Sequence, residues 1–112
     1  MKIDEATSGA VLVVRLAGDL DMKEAGVLQT RLAERIAKGQ ARIVVNLAGV
    51  AYIDSAGLGA LVATLKACTG QGGRLVLAAP GADVRHILTI TRVDRHLPIH
   101  PTESDAVAAA QQ

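Results

Sequence analysis

Three short runs of β-branched and aliphatic residues set the strongest limit on what this chain can fold into: Ala10–Ala17 (AVLVVRLA), Arg42–Ala48 (RIVVNLA) and Arg74–Ala79 (RLVLAA). A strand covered on one face alternates apolar and polar residues. These runs are nearly continuous, so they call for cover on both faces. Segments of helical length and helical apolar spacing separate them. Strands that alternate with helices in this way build a largely parallel sheet.

The remaining elements follow from local chemistry. A shorter strand is expected near Lys2–Ala6, turning at Thr7-Ser8-Gly9. Gly18-Asp19-Leu20-Asp21 ends the first long run, and Asp21 followed by Glu24 has the form of a capping box. Ala25, Leu28, Leu32 and Ile36 mark the inner face of a helix that Gly39 stops, with Lys23, Glu24, Arg31, Glu34, Arg35 and Lys38 on its other side. A second helix runs from the Asp54-Ser55 pair to about Thr69, ended by Gly70, Gly72 and Gly73. Pro80-Gly81 leads into a third over Ala82–Ile90, with Val84, Ile87 and Leu88 inward. LPIHP cannot be helical and predicts a short edge strand near Pro98–His100. Thr102, with Asp105 three residues on, predicts a capped last helix. The expected fold class is α/β: a mixed, mostly parallel sheet of four to five strands, covered by about four helices, in a single domain over 1–112.

Composition narrows the function classes. The 112 residues suit one domain, which buries roughly two thirds of its unfolded surface. Half are hydrophobic, yet Tyr52 is the only aromatic, so Val, Leu, Ile and Ala must build the core. Twelve basic and eleven acidic residues give a net charge of +1, far from the basic footprint of a nucleic-acid binder. The single Cys68 excludes an internal disulfide and fits a reducing compartment. MKIDEATSG has no signal-peptide core, and no apolar run approaches the ~20 residues that span a bilayer. A soluble, cytoplasmic protein is expected.

The segment Val50–Leu65 (VAYIDSAGLGALVATL) holds the chemistry worth weighing. In helical projection Leu58, Leu61, Val62, Leu65 and Cys68 share one face, expected to meet the sheet. Ala56, Ala60, Ala63 and Ala67 lie opposite, with Gly59 at the edge. Either the helix is covered on both sides or rich in Ala for propensity, or the smooth stripe faces a partner. Ser55 falls at or next to the N-cap, where Ser and Asp commonly accept the orphan N–H groups of the first turn. A hydrolase nucleophile would want Gly-x-Ser-x-Gly, but Ile53 stands two residues before Ser55. A phosphate-cradling loop would want a third glycine or a Walker lysine, and GLGALV has neither. The third functional reading is phosphorylation of Ser55. A phosphate adds about −1.5 to −2 charges. The helix dipole favours it by roughly 0.3–1 kcal/mol, and neighbouring Asp54 opposes it, so the fold should tolerate what a docked partner would not.

Other residues carry less. His96 and His100 are separated by Pro98, and neither they nor His86 has a metal-ligand spacing, so no metal and no cofactor are expected. Arg85, Arg92 and Arg95 are diluted by Asp83 and Asp94 and read as a solvated face. Cys68 reads as a small core hydrophobe.

YIDSAGLGALV closely resembles the phosphorylation-site signature, D-S-x-G-L-G, of STAS-domain anti-sigma factor antagonists. LAGDLDMKEAGVLQTRL resembles their strand-loop-helix before it, and VRHILTITRVDRHLPIHPTESDAVAA their C-terminal stretch, so the likeness spans about Lys2 to Ala110. The resemblance implies a STAS-like fold and a non-enzymatic switch. The unphosphorylated antagonist binds an anti-sigma factor that is also a serine kinase, and the sigma factor is released. Phosphorylation of the motif serine then breaks the complex, and a phosphatase restores it. Carried over, Ser55 is the phosphoacceptor, flanked by Asp54. Gly57, Leu58 and Gly59 shape the first turn, and Ala56, Ala60 and Ala63 lie on the docking face near Asp19 and Asp21. The expected assembly is a monomer or weak dimer. A STAS subunit of a transport or signalling assembly, never phosphorylated and with Ser55 only a cap, is the alternative. Leu97 departs from the family, many of whose members carry an aromatic there; this bears on core packing and not on the switch.

Overall fold

The computed structural model describes residues 1–112. β1 (Lys2–Ser8) and β2 (Val11–Ala17) form an antiparallel hairpin around Gly9, whose φ of +58° suits a residue without a side chain. β3 (Arg42–Gly49), β4 (Arg74–Ala78) and β5 (Ile99–His100) then add in parallel, so the sheet order β1-β2-β3-β4-β5 is also the chain order. α1 (Met22–Ala37), α2 (Ser55–Gly70) and α3 (Ala82–Ile90) make the crossovers; a 3₁₀ turn (Val93–Arg95) precedes β5, and α4 (Glu103–Ala110) ends the chain. The α/β sandwich expected from the apolar runs is therefore present, with five strands and four α-helices.

Alternation along the buried strands divides the core in two. Leu12, Val14, Leu16, Ile43, Val45, Leu47, Leu75 and Leu77 face the layer that carries Leu28, Leu32, Leu61, Cys68 and Leu88 of α1–α3. Val11, Val13, Val44, Val76 and Ala78 face the other way and meet Ala106 and Ala110 of α4. Both faces are covered, which is why the three runs lack polar alternation.

The capping box is half realised. The Asp21 carboxylate accepts from the Lys23 and Glu24 amides at 3.0 and 3.3 Å. Glu24 does not reach back to Asp21; its Oε1 accepts instead from the Met1 ammonium at 3.2 Å. The outer residues Arg31 and Arg35 are not simply solvated either. Arg35 Nε donates to Glu5 Oε1 at 2.8 Å and Arg31 Nη1 to Glu5 Oε2 at 3.2 Å, pinning α1 to β1. On the opposite face Arg15 forks onto Glu103 at 2.8 and 3.0 Å, and Asn46 Nδ2 donates to the same carboxylate at 3.1 Å, which ties α4 to β2 and β3.

The Arg35 guanidinium holds the Glu5 carboxyl below the usual range, against an opposing push from burial, and Arg15 with Asn46 does the same to Glu103. Both pKa values are lower in the folded chain than in the unfolded one. The stability they contribute is thus present above the ordinary glutamate value and is lost as pH falls through the folded values. Glu5→Gln should therefore lower the thermal midpoint near neutrality by a few degrees. It should also lessen the further fall between about pH 5 and about pH 3, as scanned by circular dichroism at a series of pH values.

Candidate functional site

The loops leaving the C-terminal ends of β2 and β3 are bound to each other. Leu20 N donates to the Tyr52 carbonyl at 2.9 Å, Asp54 N donates to the Leu20 carbonyl at 3.3 Å, and Leu20 and Ile53 pair as an isolated parallel bridge. Asp19 and Asp21 thus lie on the loop joined to the Asp54-Ser55 loop, as the sequence reading expected. Their roles differ, because the Asp21 carboxylate is engaged in capping α1 while Asp19 is exposed.

Asp54 joins the two helices. Its backbone is extended (φ −111°, ψ −174°), and its Oδ1 accepts from the Gly57 amide at 2.9 Å, which makes it the N-cap of α2. Its Oδ2 accepts from the Met22 amide at 3.0 Å, at the first residue of α1. One carboxylate therefore satisfies an orphan donor at each helix start. Ser55 is the first residue of α2, exposed, with its hydroxyl outside this cap.

Gly57 is required by a close approach. A Cβ there would fall inside van der Waals contact of the Leu20 carbonyl oxygen and within 3.0 Å of Ile53 and Leu20 side-chain carbons. Gly59 has nothing within 4 Å of where its Cβ would stand, so no intramolecular contact demands a glycine. Its effect is on the surface, which stays flat one turn after Ser55.

The projection of α2 needs correcting. Its buried residues are Gly57, Ala60, Leu61, Thr64 and Cys68, so the inner face is rotated toward the small residues. Ala60 is only 2% exposed, Ala56 and Ala63 are half-buried, and Leu58, Val62 and Leu65 are half-buried rather than turned fully to the sheet. The helix packed beside α2 is α1 of the same chain. Thr64 is accommodated because its Oγ1 donates to the Ala60 carbonyl at 2.8 Å. Of the residues assigned to docking, Asp19 and Gly59 are exposed, Ala56, Leu58 and Ala63 are half-exposed, and Gly57 and Ala60 are interior. Two exposed apolar residues were not assigned to docking by the sequence reading: Met22 (78% exposed), the first residue of α1, and Tyr52 (50%), on the loop after β3. Their signal was present, Met22 directly after a helix cap and Tyr52 as the sole aromatic.

No cluster of three His, Cys, Asp or Glu side chains is arranged to hold a metal ion. Burial pushes the Cys68 thiol up to about 11, leaving little thiolate at neutral pH. No helix is long and apolar enough to cross a membrane.

Comparison with known proteins bears on this geometry. The family model for the STAS domain matches residues 2–106. The anti-sigma F factor antagonist of Paenibacillus polymyxa is 27% identical over 96% of this chain and 92% of its own. The anti-sigma-B factor antagonist of Staphylococcus epidermidis is 31% identical over 81% of this chain and 84% of its own. The crystal structure of an anti-sigma factor antagonist from Mycobacterium paratuberculosis superposes with a TM-score of 0.89 at 26% identity, covering 99% of this chain and 94% of that one.

The two glycines and the shared cap make opposed predictions. Gly57→Ala should destabilise by about 1–3 kcal/mol through overpacking against Leu20. Gly59→Ala, in open space, should stabilise by roughly 0.5–1 kcal/mol. Asp54→Ala should cost about 1–2 kcal/mol, and Asp54→Asn, which keeps a single acceptor oxygen, should fall between it and wild type. Urea denaturation monitored by circular dichroism measures all of these.

Proposed function

The chain belongs to the STAS-domain family of anti-sigma factor antagonists, and on that premise we propose that it is a partner-switching antagonist controlled at Ser55. Unphosphorylated, it docks on an anti-sigma factor that is a serine kinase, and the sigma factor is freed. The kinase then transfers the γ-phosphoryl group of ATP to the Ser55 hydroxyl, the complex separates, and a phosphatase resets the switch.

The observation that carries this reading is the division of labour between adjacent residues. Asp54 supplies the helix cap, while Ser55 is exposed with its hydroxyl outside the cap. In the alternative, an unphosphorylated STAS subunit of a larger assembly, Ser55 would be only a cap, and Asp54 already fills that place. The docking surface on this reading comprises Asp19, Met22, Tyr52, Ala56, Leu58, Gly59 and Ala63. Asp21, Asp54, Gly57 and Ala60 hold its shape from beneath.

Magnitudes separate the effect on the fold from the effect on the complex. A phosphate of about −1.5 to −2 charges on the first residue of α2 gains roughly 0.3–1 kcal/mol from the helix terminus. Asp54 repels it by a comparable amount, so the domain stays folded. An unpaired charge enclosed in an interface costs several kcal/mol, and about 1.4 kcal/mol is already tenfold in affinity.

Ser55→Asp should weaken binding to a serine-kinase anti-sigma factor by about tenfold or more, with the thermal midpoint unchanged within a few degrees. Ser55→Ala should bind as wild type does and take up no phosphate from ATP in the presence of the kinase. Isothermal titration and intact-mass spectrometry read both. An Asp variant that binds as tightly as wild type would refute the switch.

A further inference from the structure

A cleft lies on the far half of α2. Val62, Leu65 and Lys66 of α2 face Thr91, Arg92, Val93, His96 and Leu97 of the α3–β5 connection across a cleft of about 410 Å³. That volume is within the range of small-molecule sites, roughly 300–1,000 Å³. Leu97, fully buried, is continuous with the core, and half-buried Val62, Leu65 and Val93 add apolar wall. Lys66, Arg92 and His96 line the cleft together with the neutral Thr91, and no acid does. Asp94, close by in sequence, is exposed and lies outside the lining. Neither Lys66 nor Arg92 takes part in any of the ion pairs of the chain.

Arg92 adds a conformational observation. It directly follows the C-cap Thr91 of α3 and adopts φ +63°, ψ 17°, a left-handed position usually given to glycine. A glycine would make this turn with less strain. Arg92 lines the cleft all the same, at a conformational cost.

We propose that this cleft binds a small amphiphilic anion, its apolar body against Val62, Leu65, Val93 and Leu97 and its charged head between Lys66 and Arg92. Charge complementarity and the apolar floor together select this class over neutral or cationic molecules. Lys66 stands about 16 Å along the helix axis from Ser55 by the rise per residue. The site is therefore separate from the phosphoacceptor, on the same helix.

The test is a ¹H–¹⁵N correlation titration of the full chain with decanoate, decanol and decyltrimethylammonium. Decanoate should give saturable shifts at Val62, Leu65, Thr91, Val93 and Leu97, with the other two at least tenfold weaker. Arg92→Gly should weaken decanoate binding by about tenfold while its thermal midpoint holds or rises, and Lys66→Gln should weaken it similarly. The proposal is overturned if decanoate gives no saturable shift, if shifts map elsewhere, or if all three amphiphiles bind alike. It is equally overturned if the cleft ignores decanoate and Arg92→Gly instead loses a protein partner, which would make the cleft a protein anchor. The assay reads no phosphorylation, so its outcome is independent of the Ser55 reading.

Discussion

The Asp54 carboxylate is the contact on which the rest of the site depends. It accepts from Gly57 at the start of α2 and from Met22 at the start of α1, so two helices that pack side by side share one anchor at one end. The Leu20–Ile53 bridge brings their loops close enough for this, and Gly57 gives the Leu20 carbonyl room. Because the anchor is an aspartate and not its neighbour, the serine is left on the surface. A modification at Ser55 can thus change how the surface is read without removing a bond that the helices need.

Topology explains why that surface is flat. Open α/β sheets commonly bind ligands where the strand order reverses, in a crevice outside the carboxyl ends of the strands. Here the strand order never reverses, and α1, α2 and α3 all cover one face. The loops after β2 and β3 lie at the carboxyl ends but are joined edge to edge by hydrogen bonds instead of parting. The small and apolar groups left at the surface there are, on our proposal, what a partner protein reads. The cleft at the far half of α2 owes its existence to the irregular α3–β5 connection, not to the sheet.

Much of this was legible in the sequence because strand and helix signals agreed with each other. The three apolar runs, the caps at Asp21 and Thr102 and the helix stop at Gly39 all stand where spacing and residue chemistry place them. The orientation of α2 was not legible. A helix that is apolar nearly all round has no polar face to set its rotation, and projection then favours the largest residues. The fold buries Gly57, Ala60 and Thr64 instead: the Leu20 carbonyl stands over Gly57 and α1 packs against α2, tertiary facts absent from local pattern. Similarly, adjacent Asp and Ser are both good N-caps, and only the second donor, the Met22 amide, shows why Asp54 holds the place. Glu24 diverges from its box because the Met1 ammonium is within reach, a long-range pairing that spacing does not encode.

The sheet's two faces are closed by different parts of the chain. Strand order follows chain order, so each new strand of a growing polypeptide can add beside the last, and α1–α3 cover one side as they appear. Val11, Val13, Val44, Val76 and Ala78 have no cover until residues 103–110 arrive as α4, whose buried contacts are two alanines reinforced by the Glu103 fork and by Arg42 Nη1 donating to the Ala110 carbonyl at 2.8 Å. Without α4 this valine face would be an open, apolar plane; the small helix acts as its latch, and the solubility of the folded chain hinges on that latch being closed.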